Sequence, residues 1–265
     1  MKTKDVVVGL GEIGLPILKL ISKSTIVVGF DKNKNLIDNK QFKKYDDLQT
    51  RFVHLCIPFN QNFLKNTLNI QKIFSPKCIV IHSTIKPSTT KQIQNKLSIP
   101  IIYSPVRGVH KTMLRDLKKY KKFFGIEQNA PNKEWAARNF SLLMRKSGVK
   151  TKKISNSTTL ELSKIICDTT YLGWLINYSQ ISNMIATQHG VNFDEMWSFA
   201  DEIHQHLGNR PKMFPGYIGG HCVIPNLELI DNQTLNLVQE LNEYYLKKIP
   251  NAKGISKKYG SKLNR

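Results

Sequence analysis

Cys222 follows Gly219, Gly220 and His221 inside a stretch, Phe214–Asn226, that holds three glycines and two prolines. That density of turn formers predicts a loop with no helix running through it. Behind a Gly-Gly pair the backbone can pack close to a ligand, and a thiol there is a candidate nucleophile toward a carbonyl carbon. The alternative is a buried structural cysteine, the common fate of a lone Cys. Upstream, Lys164 and Asp168 stand four residues apart in a helical stretch and share a face. The competing reading of the pair is a solvated ion pair of little energetic weight. His221 would either orient a substrate or pack against its own loop.

A second chemical feature lies near the N-terminus. The β-branched run Val6-Val7-Val8 leads into Gly9-Leu10-Gly11-Glu12-Ile13-Gly14, and the apolar helical segment Leu15–Ile21 follows. This is GxGxxG after a strand and at the opening of a helix. Gly9 permits the tight turn, Gly11 lets a pyrophosphate approach the backbone, and Gly14 lets helix and strand pack closely. Glu12 and Ile13 complete the turn, and the phosphates would sit at the helix N-terminus, where free N–H groups and the dipole favour an anion. The next strand, Thr25–Phe30, closes at Asp31. A carboxylate there, about 20 residues past the glycines, would accept the ribose hydroxyls. It repels a 2′-phosphate, so the expected cofactor is NAD, with Lys32 and Lys34 softening the preference.

These residues need a scaffold, and the chain supplies its pattern. Further strand-like runs are Arg51–Pro58, Cys78–Ser83, Ile99–Tyr103, Lys122–Ile126 and Gly148–Ile154, with helical or turn-rich segments between them, Pro131–Lys146 among these. The alternation predicts an α/β fold, a Rossmann-type doubly wound parallel sheet with helices on both faces. In such sheets ligands bind off the carboxyl ends of the strands. Pro58, Ser83 and Thr84 stand at such ends and join the cofactor set. Ser104-Pro105-Val106-Arg107 follows the fifth strand, and Arg107 is a candidate contact for an anionic substrate. From Thr158 to about His189 the pattern becomes one long helix, capped by Ser157, Thr158 or Thr159, with Gly173 inside it. Phe193–His206 and Leu227–Lys248 complete a smaller all-α domain built on that helix. The expected division is 1–155 for the cofactor domain, 156–252 for the helical domain, and 253–265 for a solvated basic tail.

Composition narrows the function classes. The 265 residues carry a formal charge of +21. The lysines are dispersed, with no recognition helix or aromatic-interleaved basic motif, which argues against nucleic acid and for steering of an anionic small molecule. Cys56, Cys78, Cys167 and Cys222 form no CxxC pair, so neither zinc nor a disulfide framework is expected. Cys56 and Cys78 read as core residues, and Cys167 has no loop to expose it. His54, His82, His189 and His204 are scattered without metal spacing. No apolar run is long enough for a bilayer, and the chain enters its first strand without a signal peptide, so no membrane association and a cytoplasmic location are expected.

Together the pieces resemble the UDP-glucose/GDP-mannose 6-dehydrogenase family of nucleotide-sugar dehydrogenases. The likeness rests on Gly9–Gly14, Ser83-Thr84-Ile85-Lys86-Pro87, Tyr103-Ser104-Pro105, Glu161-Leu162-Ser163-Lys164 and Pro215–Pro225, in the family's order. It implies oxidation of a sugar primary alcohol through aldehyde to carboxylate, with reduction of two NAD. Cys222 would form a thiohemiacetal and then a thioester, Lys164 would stabilise the oxyanion, and Thr84 would hold a water or alkoxide. Asp168 and Asn226 stand where the family has asparagine and aspartate, a reciprocal exchange that keeps one carboxylate and one amide. Val106 replaces a glutamate that orders the hydrolytic water. The family continues into a second Rossmann-like domain for the nucleotide, whereas this chain runs to Arg265; a partner chain supplying that domain is one expectation. A homodimer through helix 158–189 is another. The rival readings are a β-hydroxyacid dehydrogenase of 3-hydroxyisobutyrate type, which needs Lys164 but no cysteine, and a catalytically degenerate NAD-binding subunit.

Overall fold

A computed structural model describes residues 2–207, 215–219, 223–229 and 233–255. It divides the chain into two compact units, one ending at Lys164 and one beginning at Ile165. The first unit runs β1 (Thr3–Val8), α1 (Gly14–Ile21), β2 (Val27–Phe30), α2 (Asn39–Lys44), β3 (Gln49–Leu55), α3 (Phe63–Phe74), β4 (Cys78–Ile81), α4 (Thr89–Gln94), β5 (Ile101–Tyr103), α5 (Met113–Lys119), β6 (Lys122–Ile126), α6 (Lys133–Lys146), β7 (Thr151–Ile154) and α7 (Ser157–Leu162). The strands form one seven-stranded sheet in the order β2-β1-β3-β4-β5-β6-β7. The seven strand-like runs of the sequence are its seven strands.

The sheet is not wholly parallel. β5 and β6 pair antiparallel, with Ile102 opposite Ile126 and Tyr103 opposite Gly125. The connection between them returns to the same sheet edge with only the short α5 inside it, and a strand that re-enters at the edge it left needs no crossover. Lys122 is thereby delivered to the carboxyl end of β5. β1 lies between β2 and β3, so the chain departs from β1 in opposite directions, which is the topological switch where α/β sheets open a crevice.

Alternation along the buried strands makes two apolar layers. Val7, Phe52, Val80 and Ile102 face α1, α5 and α6 through Ile17, Leu117 and Phe140. Val6, Val8, Leu55, Ile79 and Tyr103 face α3, α4 and α7 through Phe63, Ile93 and Leu160. This is the doubly wound arrangement, with the central strands covered on both faces, while Lys152 and Lys153 of the edge strand β7 are exposed.

The approach of α7 to the sheet depends on two residues. The N-cap is Asn156, whose Oδ1 accepts from Thr159 N at 2.8 Å, and not Ser157, Thr158 or Thr159 as expected. Ser157 is already engaged, since its N–H and hydroxyl both donate to Glu127 at the end of β6. Beneath this turn lies Gly125, where a Cβ would stand 2.5 Å from Asn156 O and 2.9 Å from Ser157 Cα.

A π-helical segment (Ser163–Thr170) begins at the end of the first unit, and the second unit is helical: that segment leads into α8 (Tyr171–Gln188), followed by α9 (Phe193–Leu207), α10 (Val223–Leu227) and α11 (Gln233–Lys248). The long helix expected over Thr158–His189 is therefore α7, a π segment and α8. Within the π segment Thr169 Oγ1 donates to Ile165 O at 3.1 Å, a side chain competing for a ladder carbonyl. The expected loop Phe214–Asn226 is helical from Val223 onward. Pro225 is tolerated because it lies in the first turn of α10, where its missing N–H has no partner to lose. Ile218, Val223, Leu227 and Val238 form one core, and Tyr245, Ile249 and Ala252 another. Ala252–Ile255 make a further helical turn, and the rest of the expected tail, residues 256–265, lies outside the described residues. No described helix is long and apolar enough to cross a membrane.

Gly125→Ala tests the α7 seat. The added methyl meets backbone rather than a flexible side chain, so a loss of about 1–3 kcal/mol is expected in denaturant unfolding. An unchanged midpoint would mean that α7 does not pack this closely.

Candidate active site

The turn between β1 and α1 is built from constraints that only glycine meets. Gly9 has φ +89°, and a Cβ there would lie 2.8 Å from Cys56 O. A Cβ on Gly14 would stand 1.6 Å from Gly9 O. Gly11 is the opposite case, exposed and with nothing within 4 Å of its Cβ position, so its backbone is open to a ligand. α1 starts at Gly14 with no side-chain cap and no acidic residue in its first turn, while Leu15 N donates to Gly11 O and Ile17 N to Ile13 O, both at 3.1 Å, so an anion there would rely on the exposed Gly11 backbone and the Gly14 amide. Glu12 is exposed and Ile13 half-buried beside them. Asp31, at the end of β2, accepts from Leu10 N at 2.6 Å and from Asn33 N at 2.8 Å. Its carboxylate thus holds the glycine turn and retains lone pairs for further donors. An open backbone, an uncapped helix start and a terminal carboxylate fit a dinucleotide, and these residues would hold its pyrophosphate and ribose.

The next strand ends line the same edge. Cys56 N donates to Val8 O at 2.8 Å. Burial pushes the Cys56 thiol up to about 12, against the opposing pull of Lys122, so it is not a nucleophile at neutral pH. Pro58 is exposed, and Ser83, buried, donates its hydroxyl to Ile57 O. Thr84 is half-buried at the start of the segment that leads to α4. That segment is tied to α7 by Glu161, whose carboxylate accepts from Ser88 N at 2.6 Å, Thr90 N at 2.9 Å and Thr90 Oγ1 at 2.6 Å. Lys164, half-buried, follows one helical turn after Glu161.

A buried polar chain crosses beneath the edge. Lys122 Nζ donates to Ser104 O at 2.6 Å and Pro105 O at 2.8 Å. His82 Nδ1 also meets Ser104 O, at 2.9 Å, and His82 Nε2 lies 3.0 Å from His54 Nδ1. A carbonyl only accepts, so His82 carries its proton on Nδ1 and accepts from His54 Nδ1–H. Burial pushes His54 down to about 3 and His82 well below the usual imidazole range, so both are neutral. His54 Nε2 has no partner among the described residues. Arg107 lies over Phe123 at 4.8 Å and Tyr120 at 5.6 Å and donates to Lys121 O at 2.6 Å.

In the second unit, Asp168 is half-buried in the π segment. Asn226, buried at the end of α10, donates from Nδ2 to Thr169 Oγ1 at 3.4 Å. Gly219 is exposed. Gly220, His221 and Cys222 lie outside the described residues. The strand of chain that precedes them is held by buried amides. Asn242 accepts from Ile218 N at 2.8 Å and donates to Ile218 O at 3.2 Å, while Gln180 Nε2 donates to Gly216 O at 2.7 Å. Cys167, expected to be sheltered, is exposed, because the π segment turns its face outward.

Sequence reasoning missed several of these residues. Glu161 was named in a motif, but its buried tie to Ser88 and Thr90 had no signal in a turn that also holds Thr158, Thr159 and Ser163. His54 and His82 had one, as polar residues within or just past mostly apolar strand runs. Asn177, Gln180 and Asn242 had none, since amides on helices are ordinarily solvated.

The chain matches no protein-family model and no curated protein. Solved structures do resemble it. UDP-D-ManNAc dehydrogenase from Pyrococcus horikoshii gives a TM-score of 0.73 at 21% identity, over 92% of this chain and 69% of that one. The UDP-N-acetyl-mannosamine dehydrogenase Cap5O from Staphylococcus aureus gives 0.69 at 20% identity, over 92% and 68%. The 3-hydroxyisobutyrate dehydrogenase of Mycobacterium tuberculosis gives 0.63 at 14% identity, over 93% and 94%. The chain shares their fold, and it spans about two thirds of the first two proteins and nearly all of the third.

Lys122 offers a test that needs no ligand. Burial, reinforced by Arg107 and Lys164 and opposed by Cys56, pushes its ammonium down to about 7. An unfolded lysine titrates near 10.4, so above about pH 7 the unfolded chain binds the extra proton and stability rises with pH. Wild type should gain on Lys122→Met by up to about 1.4 kcal/mol per pH unit between about pH 7 and 8.5, below the range where unfolded thiols ionise. A pH-independent difference would show that Lys122 titrates normally.

Proposed function

We propose that the chain is an NAD-dependent dehydrogenase that oxidises the primary alcohol of a sugar, free or carried on a nucleotide, with Cys222 as covalent nucleophile. The observation that carries the reading is the β1–α1 turn, with its open Gly11, its uncapped helix start and Asp31 at the next strand end. When bound, NAD supplies the hydride acceptor. Gly9, Gly11, Glu12, Ile13, Gly14, Asp31, Pro58, Ser83 and Thr84 would hold it. The fold shared with two sugar-nucleotide dehydrogenases supports the substrate class.

In this reading the substrate alcohol loses a hydride and a proton to give an aldehyde. The Cys222 sulfur adds to the aldehyde carbon, and the oxygen, negative as the C–S bond forms, is stabilised by the Lys164 ammonium. The adduct oxygen takes a proton. Loss of a second hydride from the same carbon, together with the proton of the adduct hydroxyl, leaves a thioester, and water cleaves it to carboxylate and thiol. Thr84 holds the alkoxide or the water. Asp168 and Asn226 contribute one carboxylate and one amide, and Arg107, Gly219, Gly220 and His221 contact the substrate. Val106 offers no base to the water, so hydrolysis would be the slow step. The nucleotide, bound in longer proteins of this fold, would be met here by the basic surface or by a partner chain.

A homodimer through helix 158–189 belongs to the same proposal. α8 buries Asn177, Ser179 and Gln180 while exposing Tyr171, Trp174 and Tyr178. A helix that turns its polar stripe inward and its aromatic residues outward fits a second apolar contact.

One observation favours a second reading, a β-hydroxyacid dehydrogenase. The chain covers 94% of the 3-hydroxyisobutyrate dehydrogenase, so no domain is wanting in that comparison. NADH release across nucleotide sugars, sugar phosphates and small hydroxyacids, for wild type and Cys222→Ser, separates the two. The first reading predicts two NADH per sugar, abolished or cut to one by the serine. Turnover of a hydroxyacid that ignores the serine would establish the second. Silence toward every substrate, with NAD still bound, would contradict both and leave a non-catalytic NAD-binding subunit.

A further inference from the structure

Glu161 is fully buried, yet it touches neither the glycine turn nor the expected substrate side. Its carboxylate is spent on the segment that follows β4. Oε2 accepts from Ser88 N at 2.6 Å, and Oε1 accepts from Thr90 N at 2.9 Å and Thr90 Oγ1 at 2.6 Å. Ser88 is held at φ +68°, a conformation that a non-glycine residue keeps only when its surroundings impose it. The donor from Ser88 is the amide on that strained residue, so the carboxylate fixes the strained turn directly. Ser88 also starts α4 and makes no side-chain cap of its own. The segment it closes begins with Ser83 and Thr84, and Glu161 stands three residues before Lys164, which lies in the π-helical segment that continues α7.

We propose that Glu161 is the positioning residue that holds the Thr84 segment in fixed register with the helix carrying Lys164. The claim rests on the reading of Thr84 and Lys164 as catalytic groups and extends it to a residue with no chemistry of its own. A carboxylate is suited to the task because all three partners donate. Glutamine would turn an NH₂ toward at least one donor and leave that buried group unpaired. Thr90→Val removes only the hydroxyl donor and keeps both amides. Thr90→Ser keeps all three donors.

The test compares wild type, Glu161→Gln, Thr90→Val and Thr90→Ser by amide hydrogen exchange and by steady-state NADH release on the sugar substrate that wild type turns over. The expected result for Glu161→Gln is exchange at Ser88 and Thr90 faster by about ten-fold or more, with β1 and β4 unchanged, as for loss of a charge-assisted hydrogen bond. kcat should fall about 10- to 100-fold while the KM for NAD stays within about three-fold, since only alignment is lost. Thr90→Val should show a smaller version of the same split, and Thr90→Ser should behave as wild type. Unchanged exchange at Ser88, or faster exchange spread evenly over the sheet, would overturn the proposal, and so would a KM effect without a kcat effect. If wild type turns over nothing, the functional reading fails, and the exchange pattern alone then decides whether Glu161 holds the segment. If Glu161→Gln does not fold, the Thr90 pair carries the same comparison.

Discussion

The first unit depends on a close passage of backbone over backbone. Between β1 and α1 the chain reverses so tightly that a Cβ on Gly14 would sit 1.6 Å from the Gly9 carbonyl oxygen, and Gly9 takes φ +89° against the Cys56 carbonyl. No side chain can be accommodated at either place. The turn aims the start of α1 along the sheet edge, and Asp31 then fastens it through Leu10 N. Everything assigned to cofactor binding follows from this geometry, because it leaves the Gly11 backbone exposed at the start of a helix that has no side-chain cap.

Around that turn the structure uses buried polar groups as fixings between apolar layers. Glu127 takes the first turn of α7, Glu161 takes the segment before α4, and the Ser104 carbonyl gathers Lys122 and His82. In the helical unit Asn242 and Gln180 do the same for the chain between Pro215 and Gly219. Each group is satisfied by donors or acceptors of matching kind. Breaking one leaves a buried partner unpaired, which costs more than the hydrogen bond itself is worth.

Much of this was legible in the sequence. The strands read clearly because they are buried on both faces and form β-branched runs such as Val6–Val8 and Cys78–Ile81. The glycine turn read clearly because its spacing reports backbone approach. The antiparallel entry of β6 did not, since direction is set by the length and path of the connection and leaves no mark in the strand. The cap at Asn156 was missed because the competing claim of Glu127 on Ser157 is a long-range contact. The π segment was missed for the same kind of reason, because its residues have helical periodicity either way. Lys164 and Thr84 were proposed from motifs, whereas the buried contacts of Glu161, His54 and His82 take on meaning only once the sheet brings them together. Cys222, the residue most clearly marked by its neighbours in sequence, lies outside the described residues.

The central claim is that the β1–α1 turn and Asp31 form a dinucleotide site. Calorimetric titration of the whole chain with NAD⁺ and NADP⁺ tests it most directly. The account predicts saturable, one-site binding of NAD⁺ and binding of NADP⁺ weaker by about ten-fold, from repulsion of the 2′-phosphate by the Asp31 carboxylate. Binding of neither nucleotide would contradict it.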